Sequence, residues 1–248
     1  MRAMVFAAGL GTRLRPLTDD RPKALVEIDG HTLLEICLAR LRSFGVQEAV
    51  INVHHFADKV VEYLKSKDNF GMEIHVSRED ILLDTGGGLK NAAHFFLAES
   101  ANSDDPIFVH NVDVISTIDL DRMAKIHAAN NALVTLAVQE RETTRLLIFD
   151  EKLHLCGRLI GRDATAEMVR PTRNIQDLAF NGIHVISPRL LTKLSESGVF
   201  SIINSYLRLA GQGEKIVGFR ADEYTWRDVG RLEDLEQAAK DQKGPILN

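Results

Sequence analysis

The sequence predicts a doubly wound α/β domain on a mostly parallel mixed sheet, followed by a small antiparallel subdomain. Three observations carry this. Short apolar runs alternate with amphipathic helical stretches through the first half, and the connections between them are short. Past residue 140 the pattern changes to shorter, alternating pieces. A chain of 248 residues with 45% hydrophobic content suffices for one sizeable core.

Residues 3–8 form an apolar run too short for a membrane span, which reads as a buried parallel strand. It ends in the glycine-rich turn Gly9-Leu10-Gly11-Thr12-Arg13-Leu14-Arg15. Residues 24–28 read as a short extended segment, and Asp29-Gly30 as a turn. Thr32 and Glu35 make a capping box for a helix with apolar positions at Ile36, Leu38, Leu41 and Phe44, stopped by Gly45. Residues 49–53 are the second strand, 56–65 an amphipathic helix with Val60, Val61 and Leu64 inward, and 72–76 the third strand. Residues 82–90, with Thr85-Gly86-Gly87-Gly88, read as a flexible turn leading into a helix over 91–97. Residues 106–109 form a fourth strand running into His110-Asn111-Val112-Asp113.

A helix over 119–129 and a strand over 132–138 complete this first part. Residues 145–149 and 153–156 alternate as an antiparallel hairpin around Asp150-Glu151-Lys152. Arg158, Arg162, Arg170 and Arg173 fall in the loop-like segment that follows. A strand over 180–186, helices over 188–194 and 201–210, a strand over 215–220, the segment Trp226-Arg227-Asp228-Val229-Gly230 and a last helix over 232–240 close the chain. The whole reads as a single domain in three parts: 1–139, 140–230, and a C-terminal helix and tail (231–248).

Composition excludes several function classes. A net charge of −5 argues against a protein that coats nucleic acid. Two cysteines, Cys37 and Cys156, lack metal-like spacing, so neither a zinc site nor a disulfide framework is expected. No apolar run approaches membrane length and no cleavable leader pattern is present, so a cytoplasmic protein without membrane partners is expected.

The glycine turn carries the chemistry. Glycines let backbone N–H groups close on an anion, and Arg13, Arg15 and Lys23 supply charge-assisted hydrogen bonds to phosphate oxygens. Two other cradles are excluded. A dinucleotide fingerprint needs a third glycine where Leu14 stands, and a P-loop needs an absent Gly-Lys-Ser/Thr. Arg15 reads either as an assistant to Arg13 or as a local ion pair. Asp113, beyond a buried strand, reads as a cap, a carboxylate held by N–H groups, or a metal ligand. Asp228 by itself reads as a cap for the last helix. His54 and His55 receive no role.

The string Ala7-Ala8-Gly9-Leu10-Gly11-Thr12-Arg13-Leu14-Arg15-Pro16-Leu17-Thr18 followed by Pro22-Lys23 resembles the signature of the sugar-1-phosphate nucleotidylyltransferases. So do the glycine run, Asn111-Val112-Asp113, Phe180-Asn181-Gly182 and Trp226-Arg227-Asp228-Val229-Gly230. Val112 stands where that family usually has glycine, Arg231 where threonine is common, and Val169-Arg170-Pro171 where many members have Glu-Lys-Pro. The resemblance implies a Rossmann-like nucleotide-diphospho-sugar transferase fold. It implies a nucleoside triphosphate and a sugar 1-phosphate as substrates, Mg²⁺ as cofactor, and a monomer or small homo-oligomer.

By the same resemblance, Ala7, Ala8, Gly9, Gly11, Thr12, Arg13, Thr85, Gly86, Gly87 and Gly88 bind nucleotide, with Gly87 and Gly88 against the base. Asn111, Asn181 and Gly182 meet the sugar phosphate, Asp113 and Asp228 hold the metal, and Arg13 and Lys23 are catalytic. Compact length and the Thr-Gly-Gly-Gly run look most like uridylyltransferases acting on N-acetylmuramate 1-phosphate. Guanylyltransferases of mannose or heptose 1-phosphate, a phosphocholine cytidylyltransferase, and a weakly catalytic regulatory subunit are the competing readings.

Overall fold

The computed structural model describes residues 1–97, 105–160 and 165–241. Arg162 and the tail beyond residue 241 lie outside them. Strand β1 (Arg2–Phe6) is central to the sheet, and its alternation sorts the core into two faces. Ala3 and Val5 point to one apolar cluster and Met4 to the other. After the glycine turn, residues 23–25 form a tight 3-10 turn instead of the expected extended segment, because Leu25 and Val26 N–H donate back to Pro22 and Lys23 carbonyls. Two-residue strands β2 (Glu27–Ile28) and β3 (His31–Thr32) then pair antiparallel.

Helix α1 (Leu33–Ser43) begins where the capping box predicts, with Thr32 Oγ1 accepting the Glu35 N–H at 3.1 Å. Strand β4 (Glu48–Val53), helix α2 (Ala57–Ser66) and strand β5 (Glu73–Arg78) follow, each within a residue or two of expectation.

The expected flexible turn is a helix. Helix α3 (Asp84–Asn91) contains all three consecutive glycines, and α4 (Ala93–Leu97) continues it. Glycine is the poorest helix former after proline, so packing has overridden propensity here. A Cβ on Gly86 would stand 2.3 Å from the Phe200 ring, one on Gly87 2.6 Å from the Gly198 carbonyl, and one on Gly88 2.7 Å from both Asn52 and Glu79. Gly86 N–H also donates to the Phe200 carbonyl at 2.9 Å. Gly87→Ala is therefore expected to destabilise. The helix-propensity gain of about 1 kcal/mol is outweighed by overpacking against rigid backbone, about 1–3 kcal/mol. A melting temperature that stays level or rises would refute this.

Strand β6 (Ile107–Asn111), strand β7 (Val114–Ser116) and helix α5 (Leu120–Ala129) come next. They are followed by β8 (Val134–Gln139), β9 (Leu146–Phe149), β10 (Leu155–Ile160), β11 (Thr165–Met168) and the long β12 (Gln176–Ile186). The expected helix after β12 is a 3-10 turn over Pro188–Lys193. Helix α6 (Ile202–Gly211), β13 (Ile216–Arg220), β14 (Trp226–Asp228) and α7 (Leu232–Asp241) complete the order.

The main sheet is large and mixed, in the order β11-β10-β9-β12-β6-β1-β4-β5, with β8 and β13 branching from β12. Strands β6, β1, β4 and β5 are mutually parallel, as the alternating first half predicts. The hairpin β9–β10 forms around Asp150 as expected and extends this sheet. A separate small antiparallel sheet joins β14 to β7. Helices α1, α2, α5 and α7 cover one face and α3, α4 and α6 the other, the doubly wound arrangement.

Three histidines lie in this core. His127 sits 3.0 Å from both Thr135 Oγ1 and Ser187 Oγ, and His184 2.7 Å from the Tyr206 hydroxyl. Burial pushes His110 and His127 down to about 4 and His184 to about 3, from 6.5. Unfolding releases groups that take up protons below pH 6.5, so their stabilising contribution is full above that pH and is lost as pH falls toward 4. Three such groups imply a slope of up to about 4 kcal/mol per pH unit. Chemical denaturation at pH 7, 6 and 5 checks this; constant stability across that range would refute it.

Candidate active site

The C-terminal ends of β1, β4, β5 and β6 open on a cleft of about 400 Å³, where open α/β sheets hold ligands. Ala7, Ala8 and Gly9 from the end of β1 line it, together with Lys23, Asn111, Val112 and Asp113. Gly9 has no neighbour near a would-be Cβ, so its backbone faces open space. Gly11 shapes the turn. Its φ of 65° and the 2.9 Å approach of Thr18 exclude a side chain. Thr12 and Arg13 are exposed on the following 3-10 turn. Arg15 pairs with Asp19 at 3.3 Å among exposed atoms, the local ion pair that is one of its two alternatives.

The two candidate metal carboxylates, remote in sequence, are brought together by the small sheet. Val114 pairs with Asp228, and the Val229 N–H donates to the Asp113 carbonyl at 2.9 Å. Lys23, only 7% exposed, forms an ion pair with Asp113. Burial raises the Asp228 carboxyl above its ordinary value and the nearby Asp113 charge adds to this, while Lys23 and Arg13 oppose it. Asp228 Oδ1 is buried with no hydrogen-bond partner. A Cβ on Gly230 would lie 2.7 Å from Arg13 Nη2 and 2.8 Å from Asp228 Oδ1. The glycine of the Trp-x-Asp-Val-Gly string therefore makes room for the Arg13 guanidinium beside Asp228.

This donor set fits a hard divalent cation. Mg²⁺ is commonly held by one or two carboxylates plus substrate phosphates and water, and the orphaned Asp228 oxygen next to a second carboxylate is such a place. Among the described residues no group of three metal-ligating side chains occurs, so phosphate oxygens and water would complete the coordination.

The glycine run sits differently from the cradle. Thr85 lines the cleft, and its hydroxyl accepts the Ile202 N–H at 3.1 Å, tying α3 to α6. Gly86 and Gly87 face Phe200 and Gly198, and Gly88 backs the Asn52–Glu79 pair that does line the cleft. The sequence reading missed Asn52 and Glu79. Asn52 Oδ1 accepts the Ala7 N–H at 2.9 Å and its Nδ2 donates to Glu79 at 2.6 Å, while Glu79 also accepts the Leu83 N–H at 2.9 Å. A polar residue inside the apolar run 49–53 was the available signal.

On the sugar side, Asn111 lines the cleft and Gly182, at φ 74°, packs beneath its side chain. This is where β12 shifts register between Phe180 and His184. Asn181 is fully buried, and neither side-chain polar atom has a partner. Its carbonyl accepts Trp226 Nε1–H at 2.7 Å. Arg170, in the place of the family's Glu-Lys-Pro lysine, donates its N–H to the Cys156 carbonyl on the hairpin and does not line the cleft.

Residues 2–146 match the family model for nucleotidyl transferases. The chain is 36% identical to an N-acetylmuramate α-1-phosphate uridylyltransferase of Caulobacter vibrioides, over 92% of this chain and 91% of that one. It is 27% identical to a mannose-1-phosphate guanyltransferase of Yarrowia lipolytica, over 95% of this chain but only 62% of that protein's length. The crystal structure of HddC from Yersinia pseudotuberculosis with GMP-PN superposes with a TM-score of 0.75, at 21% identity, over 98% of this chain and 99% of that one. The signature string, the cleft at the strand ends and these matches agree: the chain belongs to the nucleotidyl transferase family and is an enzyme of the sugar-1-phosphate nucleotidylyltransferase class.

Proposed function

We propose that the enzyme transfers the uridylyl group of UTP to N-acetylmuramate 1-phosphate or a closely related amino-sugar 1-phosphate, with Mg²⁺ held by Asp113 and Asp228. The observation that carries the chemistry is the convergence of Lys23, Asp113, Asp228 and Arg13 at one end of the cleft. The Caulobacter relative, similar along nearly its whole length, supports the choice of base and sugar.

The attacking sugar phosphate is largely ionised near neutral pH, its second pKa being about 6, so no protein base is needed. The protein's task is to bring two polyanions together in line and to neutralise charge as it develops. Lys23 is held in the cleft by Asp113 and is positioned to meet an α-phosphate oxygen. Arg13, lodged over Gly230, is positioned for the departing pyrophosphate. Bound Mg²⁺ would supply charge neutralisation between the two phosphates.

The test is pyrophosphate release with Mg²⁺, each nucleoside triphosphate being offered against N-acetylmuramate, N-acetylglucosamine, glucose and mannose 1-phosphates. Release with UTP and N-acetylmuramate 1-phosphate is expected. Release confined to GTP with mannose 1-phosphate would replace this reading with the guanylyl one.

A further inference from the structure

Arg141 follows β8 and makes no ion pair among the described residues, although the Asp228 charge acts on it. Its guanidinium lies over the Trp226 ring, 4.0 Å from the centroid, and its Nη2 donates to the Phe180 carbonyl at 3.0 Å. Its Nε is buried with no partner. Among the described residues its contacts are thus an aromatic face and a carbonyl, with no ion pair. Two arginines of this half are committed, Arg158 to Glu167 at 2.6 Å and Arg220 to Asp222 at 2.5 Å, whereas Arg170 also has a buried Nη1 without a partner.

A half-buried cation with an unmet donor is costly unless something completes it. The surroundings say where that partner would come from. Trp226 is two residues before Asp228 and hydrogen-bonds Asn181, whose neighbour Gly182 packs under the cleft residue Asn111. Arg141 does not itself line the cleft; it is connected through Trp226, Asn181 and Gly182 to the cleft residue Asn111. Burial lowers its affinity for a proton and the Asp228 charge works against that, a further sign that it stands near the reacting end.

We propose that Arg141 receives an anionic oxygen group of the sugar 1-phosphate. This rests on the sugar-1-phosphate reading of the site. A planar guanidinium already fixed by stacking presents a fork that suits a phosphate or a carboxylate equally. The two sources are the 1-phosphate itself and a carboxylate carried by the sugar.

Trp226 is the single tryptophan of the chain, so its emission reports directly on an anion docking at Arg141. N-acetylmuramate 1-phosphate, which has a carboxylate, and glucose and mannose 1-phosphates, which do not, would be titrated into wild type, Arg141→Met and Arg141→Lys. KM values for UTP and sugar would be measured alongside. Arg141→Met, which keeps the apolar stem, is expected to weaken sugar-phosphate binding about tenfold or more while KM for UTP stays within about twofold. Arg141→Lys should fall between, since it keeps charge but loses the fork. Weakening with every sugar phosphate assigns the 1-phosphate; weakening with N-acetylmuramate 1-phosphate alone assigns the carboxylate. Equal affinities for wild type and Arg141→Met overturn the role of Arg141 while leaving the class of substrate intact. Wild type that binds none of the sugars overturns the substrate reading, and the role of Arg141 with it.

Discussion

Asp113→Asn is expected to lower turnover by roughly a hundredfold to a thousandfold or more, with little change in melting temperature. Asp113 lines the cleft just beyond β6; losing its charge deprives buried Lys23 of its ion-pair partner but also relieves the repulsion on Asp228, and the two effects on folding offset. The backbone contact that closes the small sheet, Val229 N–H to the Asp113 carbonyl, is untouched by the substitution. What is removed is one of the two carboxylate charges of the pair, the other being that of Asp228, whose buried Oδ1 has no hydrogen-bond partner. A cation held by the two carboxylates would lose half its protein charge, so the variant should need more Mg²⁺ for half-maximal rate. Binding of UTP without Mg²⁺ should change little. Turnover within a few-fold of wild type, at unchanged Mg²⁺ demand, would remove Asp113 from the metal site.

How much of this was legible in the sequence follows the range of the interactions involved. The helix at Leu33 was readable because its signal, Thr32 capping the Glu35 N–H, is complete within four residues. The parallel first half was readable for a similar reason, since each strand and helix carries its own periodicity. The helix over Gly86-Gly87-Gly88 was not, because its stability comes from Phe200 and Gly198, more than a hundred residues away. Local propensity pointed to a turn, and close packing reversed it.

The site shows the same division. Arg13, Lys23, Asp113 and Asp228 were identifiable by motif, yet their meeting depends on β7 pairing with β14, which no local pattern announces. Asn52, Glu79 and Arg141 belong to no short motif. Asn52 matters because it holds the Ala7 N–H, and Arg141 because a tryptophan 85 residues later gives it a surface to lie on. The 82–90 segment reads in the sequence as a flexible turn with nucleotide contacts over residues 85–88, and of those four only Thr85 lines the cleft, beside Leu82 and Asp84.

Lys23→Met tests the electrostatics of that cleft from the opposite side. The Lys23 stem is packed tightly enough that a Cβ on Gly11 would come within 3.1 Å of it, so methionine, similar in length and flexible, preserves the fill. The lost charge is expected to cost about a hundredfold to a thousandfold in kcat, the loss typical of deleting one donor aimed at developing oxyanion charge. KM for UTP should rise much less, because Arg13 and the cradle backbone still hold the other phosphates. A second signature separates this from simple damage. Lys23 holds the Asp228 carboxyl down against burial and the Asp113 charge, so its removal lets that carboxyl rise further. The acid limb of the kcat profile should therefore move to higher pH in Lys23→Met and return toward the wild-type position in Lys23→Arg. A kcat within twofold of wild type, or a loss of rate with an unmoved acid limb, would mean that Lys23 neither faces the reacting phosphate nor governs the carboxylate pair. The charge that balances the two aspartates would then have to come from Arg13 alone.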